Sequence, residues 1–181
     1  MKVLKIILMV IAGLIVLFFI GALFFPSEYQ VEETITINAT DSLVWTQISD
    51  FKNRHNWDPW GDIDPEATST VSNPSSGVGA LYSWKGEKIG SGNLTFLQVE
   101  KNQMIKSKLV FLTPYKGEAD VTWTLQPDGE TAEVTWAVQG DLAYPVERYM
   151  ASMIDEQLHA SFAQGLNNLK EICERQAKMQ M

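Results

Sequence analysis

The chain is 181 residues long and 45% hydrophobic, with 22 acidic against 14 basic side chains and a net charge of −8 at pH 7. Residues 28–181 carry all 22 acidic and 12 basic residues, a net charge of −10, and such a surface repels phosphate backbones and anionic headgroups, which argues against nucleic acid as a partner. One cysteine, Cys173, excludes an internal disulfide, and the 154 residues from Glu28 onward suffice for one domain with its own core.

The first element is apolar throughout. Residues 6–25 are twenty uncharged positions, fifteen of them Leu, Ile, Val or Phe. At 1.5 Å per helical residue they cover roughly 30 Å, the thickness of a bilayer's hydrocarbon core. At about −0.3 to −0.6 kcal/mol for each such residue, insertion is favoured with no charge opposing it. A secretory signal is the rival reading, since Lys2 and Lys5 precede the run. The run is longer than the usual signal core, however, and Leu23-Phe24-Phe25-Pro26 lacks the small residues a signal peptidase needs. The expectation is an uncleaved transmembrane anchor in residues 1–26 followed by a domain in residues 27–181. Glu28, Glu32 and Glu33 follow the run and the next basic residue is Lys52, which predicts a cytoplasmic N-terminus and a C-terminal domain on the exported, periplasmic or extracellular, side.

Past Pro26 the hydrophobic period changes from helical to alternating. Tyr29, Val31, Ile35 and Ile37 share one face of a strand, and Gln30, Glu32, Thr34 and Thr36 the other. A short helix is predicted from Asp41 to Ser49, its buried side marked by Val44, Ile48 and Phe51. Residues 50–66, rich in Asp, Asn and Pro around Trp57 and Trp60, predict a short helical turn and then a structured loop. Strands are expected near Ala67–Ser72, Val78–Lys85, Gly90–Val99, Lys106–Leu112, Glu118–Gln126 and Ala132–Gln139. Pro127-Asp128-Gly129 is turn chemistry between the last two. Pairing Gln126 with Thr131 then sets Val121 opposite Trp136 and Trp123 opposite Val134, on one face with Leu125, Ala132 and Val138. That apolar face needs a cover. After Pro145, a good first helical residue, Val146, Met150, Ile154, Leu158, Phe162, Leu166, Leu169 and Cys173 recur at steps of three and four. Some thirty residues make a helix of about 45 Å, enough to cross the whole sheet. Gly165 within it either admits a close approach to the sheet or marks a bend.

Motifs for catalysis are sparse. HExxH, GxSxG and CxxC patterns are absent from the sequence. His55 falls in the segment after the first short helix, and His159 follows Asp155 by four residues, a spacing for a surface pair on a helix. Asp58, Asp62, Asp64 and Glu66 lack the register and central glycine of an EF-hand and read as a solvated acidic loop. Gly77-x-Gly79 and Gly90-x-Gly92 read as strand bends. Cys173 lies on the helix's apolar stripe and reads as a small core residue.

Several segments, taken in order, carry a family resemblance. They are Ile37-Asn38-Ala39, Val44-Trp45, Ile48-Ser49-Asp50-Phe51, Asn56-Trp57-Asp58-Pro59-Trp60 and the run from Gly77 to Trp84. Thr135-Trp136, Gly140-Asp141-Leu142 and the Phe162, Gly165-Leu166, Asn168-Leu169-Lys170 series complete it. Over nearly all of residues 28–176 the chain resembles the helix-grip domain of the SRPBCC superfamily, and within it the polyketide cyclase/dehydrase and lipid-transport group, related to START domains and birch-type pollen allergens. The resemblance implies an α+β helix-grip fold, a curved antiparallel sheet of about seven strands wrapped around a long C-terminal helix, here with one N-terminal transmembrane helix added. It implies a cavity whose walls are Tyr82, Trp84, Phe96, Trp123, Trp136, Met150, Ile154 and Leu158; from the absent motifs, no metal and no cofactor are expected. From the residues alone, the same side chains would equally fill a closed core. The expected function is a membrane-anchored binding protein for a hydrophobic small molecule or lipid. The alternatives are an enzyme of the cyclase or hydrolase type acting on a similar ligand, and a protein-interaction module with a filled core. A polar pair inside the cavity would favour the enzyme, and a uniformly apolar lining would favour binding.

Overall fold

A computed structural model describes residues 2–180. Helix α1 (Lys2–Ala22) leads into β1 (Glu28–Ile37), α2 (Asp41–Ile48), a 3-10 turn over Phe51–Asn56 and the short α3 (Trp60–Ile63). Strands β2 (Thr68–Val71), β3 (Leu81–Lys85), β4 (Ser91–Glu100), β5 (Met104–Thr113), β6 (Gly117–Asp128) and β7 (Thr131–Asp141) follow. The chain ends in α4 (Val146–Tyr149) and α5 (Ala151–Met179).

The strands form one antiparallel sheet in the order β1-β7-β6-β5-β4-β3-β2, so the first strand closes onto the last. Register shifts in β4 at Ser91/Gly92 and Phe96/Gln98 bend the sheet. With α5 across its apolar face, this is the helix-grip α+β fold.

Three sequence expectations are corrected in detail. The β6–β7 hairpin pairs Asp128 with Thr131, not Gln126, so Trp123 faces Trp136 and Val121 faces Val138. The loop is the two residues Gly129 and Glu130, and Gly129 at φ +64° supplies the left-handed position that such a turn needs. The third strand begins at Leu81 rather than Val78, because Gly77 and Gly79 take φ of +81° and +86° and Ala80 N–H donates back to Gly77 O at 3.1 Å. The C-terminal helix is broken at Met150, whose φ and ψ of −92° and 1° set α4 apart from α5.

Helix α5 runs unbroken through Gly165, which settles that residue's role. A Cβ there would stand 2.9 Å from the Trp136 ring and 3.0 Å from Pro59, so the glycine admits a close approach to the sheet. Contacts with β1 give the helix its direction: His159 meets Glu33, Lys170 meets the Thr36 carbonyl, and Glu174 meets Asn38. The C-terminal half of α5 therefore lies over the hairpin end of the sheet, where Leu166, Leu169 and Cys173 complete a closed core with Ile37, Ile105, Trp123, Leu125 and Val134. Its N-terminal half lies over the other end, where Glu28 pairs with Asp141 and where α1 enters.

Candidate functional site

The end of the sheet nearest α1 is not filled. A cavity of about 180 Å³ lies there between the sheet and residues 158–162 of α5. Its walls are inward positions of six strands, from Tyr29 on β1 across Trp136, Val121, Leu109 and Leu94 to Tyr82 and Trp84 on β3. Leu158 and Phe162 of α5 roof it, Ile89 comes from the β3–β4 loop, and Arg54, Asp58 and Trp60 enter from the segment after α2.

Of the eight expected wall residues, Tyr82, Trp84, Trp136 and Leu158 line this cavity. Phe96 and Trp123 do not. Phe96 stacks on Phe51 at 4.0 Å, and Trp123 sits behind Trp136 at 4.5 Å with the edge of Trp57 against it, both in the closed half of the core. Met150 and Ile154 are also outside the lining, and Met150 is 39% exposed at the break between α4 and α5. Alternation identifies which side chains face inward, but it does not say how far along the sheet the helix stands clear.

Trp136 is the centre of the site. Its ring lies between Trp123 and Phe162, the latter 4.0 Å away and 5° from parallel, with the edges of Trp57 and Trp60 against it. Its indole Nε1 is buried without a hydrogen-bond partner. Tyr29 adds a hydroxyl, and burial, then the negative charges of Glu147 and Asp141, push its phenol pKa up.

The lining is not uniformly apolar. Arg54 is 8% exposed, and its guanidinium lies 3.3 Å from both Asp58 carboxylate oxygens. Burial pushes the Asp58 carboxyl up despite the opposing charge and hydrogen bond of Arg54. The expectation of a solvated acidic loop fails at two positions. Asp58 is drawn in by Arg54 at the i−4 position, a spacing visible in the sequence. Asp64 is buried because it accepts the backbone N–H groups of Lys88 at 2.8 Å and Ile89 at 3.3 Å, pinning the β3–β4 loop beside the cavity. His159 bonds Glu33 across the helix–sheet contact at 2.6 Å, with Asp155 farther off at 3.9 Å. Neither His159 nor His55 lines the cavity. Among the described residues no three His, Cys, Asp or Glu side chains converge on a point.

Residues 28–174 match the family described as polyketide cyclase/dehydrase and lipid transport. The chain belongs to that family. Solved structures with this helix-grip fold include protein CV1439 of Chromobacterium violaceum, 16% identical with a TM-score of 0.61, over 80% of this chain and 96% of that one. A second is truncated norcoclaurine synthase of Thalictrum flavum, at 14% and 0.60, over 81% of this chain and 94% of that one. The di-domain ARO/CYC protein StfQ of the steffimycin biosynthetic pathway aligns at 11% identity and a TM-score of 0.64 over 84% of this chain, which spans 52% of StfQ. No curated protein matches the sequence. At such low identity the likeness is one of fold, and the cavity chemistry rests on this chain's own side chains.

Proposed function

We propose that the protein is a membrane-anchored binder of a hydrophobic small molecule or lipid, with residues 1–26 as the anchor and residues 27–181 as the binding domain. The observation that carries this is the position of the aromatic cavity, confined to the end of the sheet at which α1 enters. Helix α1 has 21 residues, with a mean hydropathy of 3.1 over its most apolar 18-residue stretch, and is long and apolar enough to cross a bilayer. Tyr144 and Tyr149 donate their hydroxyls to the Phe19 and Phe18 carbonyls at 2.6 Å, and Phe18 stacks on Tyr149 at 5.0 Å. Tyrosines at the end of an apolar span are suited to the headgroup level. A ligand that partitions into the bilayer is thereby concentrated beside the cavity. The charge asymmetry around α1 supports a cytoplasmic N-terminus with the binding domain exported.

The test is to fill the cavity. Leu158→Trp on the roof should leave the circular dichroism spectrum unchanged and remove the apolar molecules that mass spectrometry finds with the purified parent. If the same molecules copurify with the variant, they bind elsewhere. The buried Arg54–Asp58 pair supports a second reading, an enzyme of the cyclase or hydrolase type. A carboxyl raised by burial is suited to proton transfer, and Asp58→Asn would then lower turnover by about a hundredfold or more.

A further inference from the structure

A guanidinium offers five N–H donors in a planar fork. Among the described residues Arg54 uses one: Nη2 donates to Asp58 Oδ1 at 3.3 Å, while Nε, 3.3 Å from Asp58 Oδ2, is buried with no hydrogen bond. Charge-assisted N–H···O bonds run at about 2.7–2.9 Å, so Asp58 is a poor match for this cation. The remainder of the group is held against aromatic faces, its central carbon 5.1 Å from the Tyr82 ring, 5.3 Å from Trp57 and 5.7 Å from Trp60. Tyr82 and Trp60 line the cavity beside it. A cation buried with donors to spare costs free energy, and an acceptor oxygen reaching it through the cavity recovers that cost.

Size and lining restrict what brings the oxygen. The cavity's roughly 180 Å³ compares with the 150 Å³ of an apolar protein cavity that holds benzene, so it has room for about one substituted ring and none for a two-chain lipid. Seven of its fifteen lining residues are aromatic, which favours a flat ring over a flexible chain. A planar two-oxygen group complements the guanidinium fork. Taking the cavity as the binding site argued above, we propose that it takes an aromatic carboxylic acid, the ring among Trp84, Phe111, Trp136 and Phe162 and the carboxylate on Arg54.

Asp58 opposes such a ligand, because its own carboxylate shares the guanidinium. The two residues therefore act in opposite directions, which makes the assignment testable. Titration calorimetry on the full-length chain in nanodiscs, against empty nanodiscs, should show benzoate binding at least tenfold more tightly than benzamide or hexanoate. Arg54→Met should abolish the preference for benzoate over benzamide, and Asp58→Asn should tighten benzoate binding several-fold. Equal affinity of the parent for benzoate and benzamide would overturn the acid assignment and leave the cavity reading standing. Binding of none of the three would overturn both. Hexanoate as tight as benzoate would overturn the aromatic half of the proposal. If Arg54→Met does not fold, Asp58→Asn decides alone, and weaker benzoate binding than in the parent rejects the proposal.

Discussion

At Gly165 the fit of α5 to the sheet comes down to one missing methyl group. An alanine there would gain up to about 1 kcal/mol of helix propensity. Its Cβ would press on a Trp136 ring already held between Trp123 and Phe162, and overpacking of that kind costs about 1–3 kcal/mol. Gly165→Ala should therefore lower the urea midpoint, by about 1 kcal/mol of stability, and a raised midpoint would mean that the ring yields. Cys173 is a residue of the opposite kind, with reactive chemistry held inactive by its surroundings. It is fully buried, and burial, with a smaller contribution from Glu174, pushes its thiol up to about 12. Only the thiolate reacts with disulfide reagents. The native protein at pH 8 should therefore show no reactive thiol, and one should be released on unfolding in urea. Rapid native labelling would place Cys173 outside the core.

Among the elements, α4 decides how the sheet and α5 meet α1. The break at Met150 turns Val146–Tyr149 away from the line of α5 and onto the end of α1, where Phe18, Phe25 and Tyr149 cluster. These contacts lie outside the core. Tyr144 and Tyr149 are 44% and 37% exposed, so water replaces the lost carbonyl partners at little cost if α1 is absent. The sheet does not depend on α1: β1 keeps its ten-residue pairing with β7, and Ser27 O still accepts from Leu142 N at 2.8 Å. A chain starting at Ser27 should be soluble and unfold in one cooperative transition with the sheet's circular dichroism intact. A broad or absent transition would make α1 part of the folding unit rather than an attachment to it.

For the molecule as a whole, the division is between one apolar exposed helix and an acidic domain with a net charge of −10 over residues 28–181. An acidic surface has no electrostatic hold on anionic lipid, so the proposed anchoring rests on α1 alone. The full-length chain should remain in the membrane pellet after alkaline carbonate washing with residues 1–26 present in its intact mass. Release by carbonate, or loss of those residues, would turn the anchor into a signal sequence. A reporter fused after Met181 should behave as exported, and cytoplasmic activity would reverse the orientation without touching the fold.

The elements themselves were legible in the sequence because their causes are local. A period of two or of 3.6 shows which face of a strand or helix is apolar whatever it packs against. That is why Trp123, Leu125, Val134 and Trp136 share the buried face even though the hairpin register differs by two residues: a shift of two preserves the face, where a shift of one would have reversed it. Only the tertiary structure decided which of these inward residues face open space. That depends on the distance between α5 and the sheet at each point, set by the contact at Gly165, the register shifts in β4 and the break at Met150 together. The charged pair in the cavity was hidden for the same reason. Arg54 and Asp58 stand four apart in a segment that reads as polar loop, and their burial follows from Trp60, Tyr82 and the sheet closing around them, residues that the sequence does not bring together. Local periodicity thus determined the fold and the inward face, and long-range packing determined where the fold was left empty and which charge was left inside it.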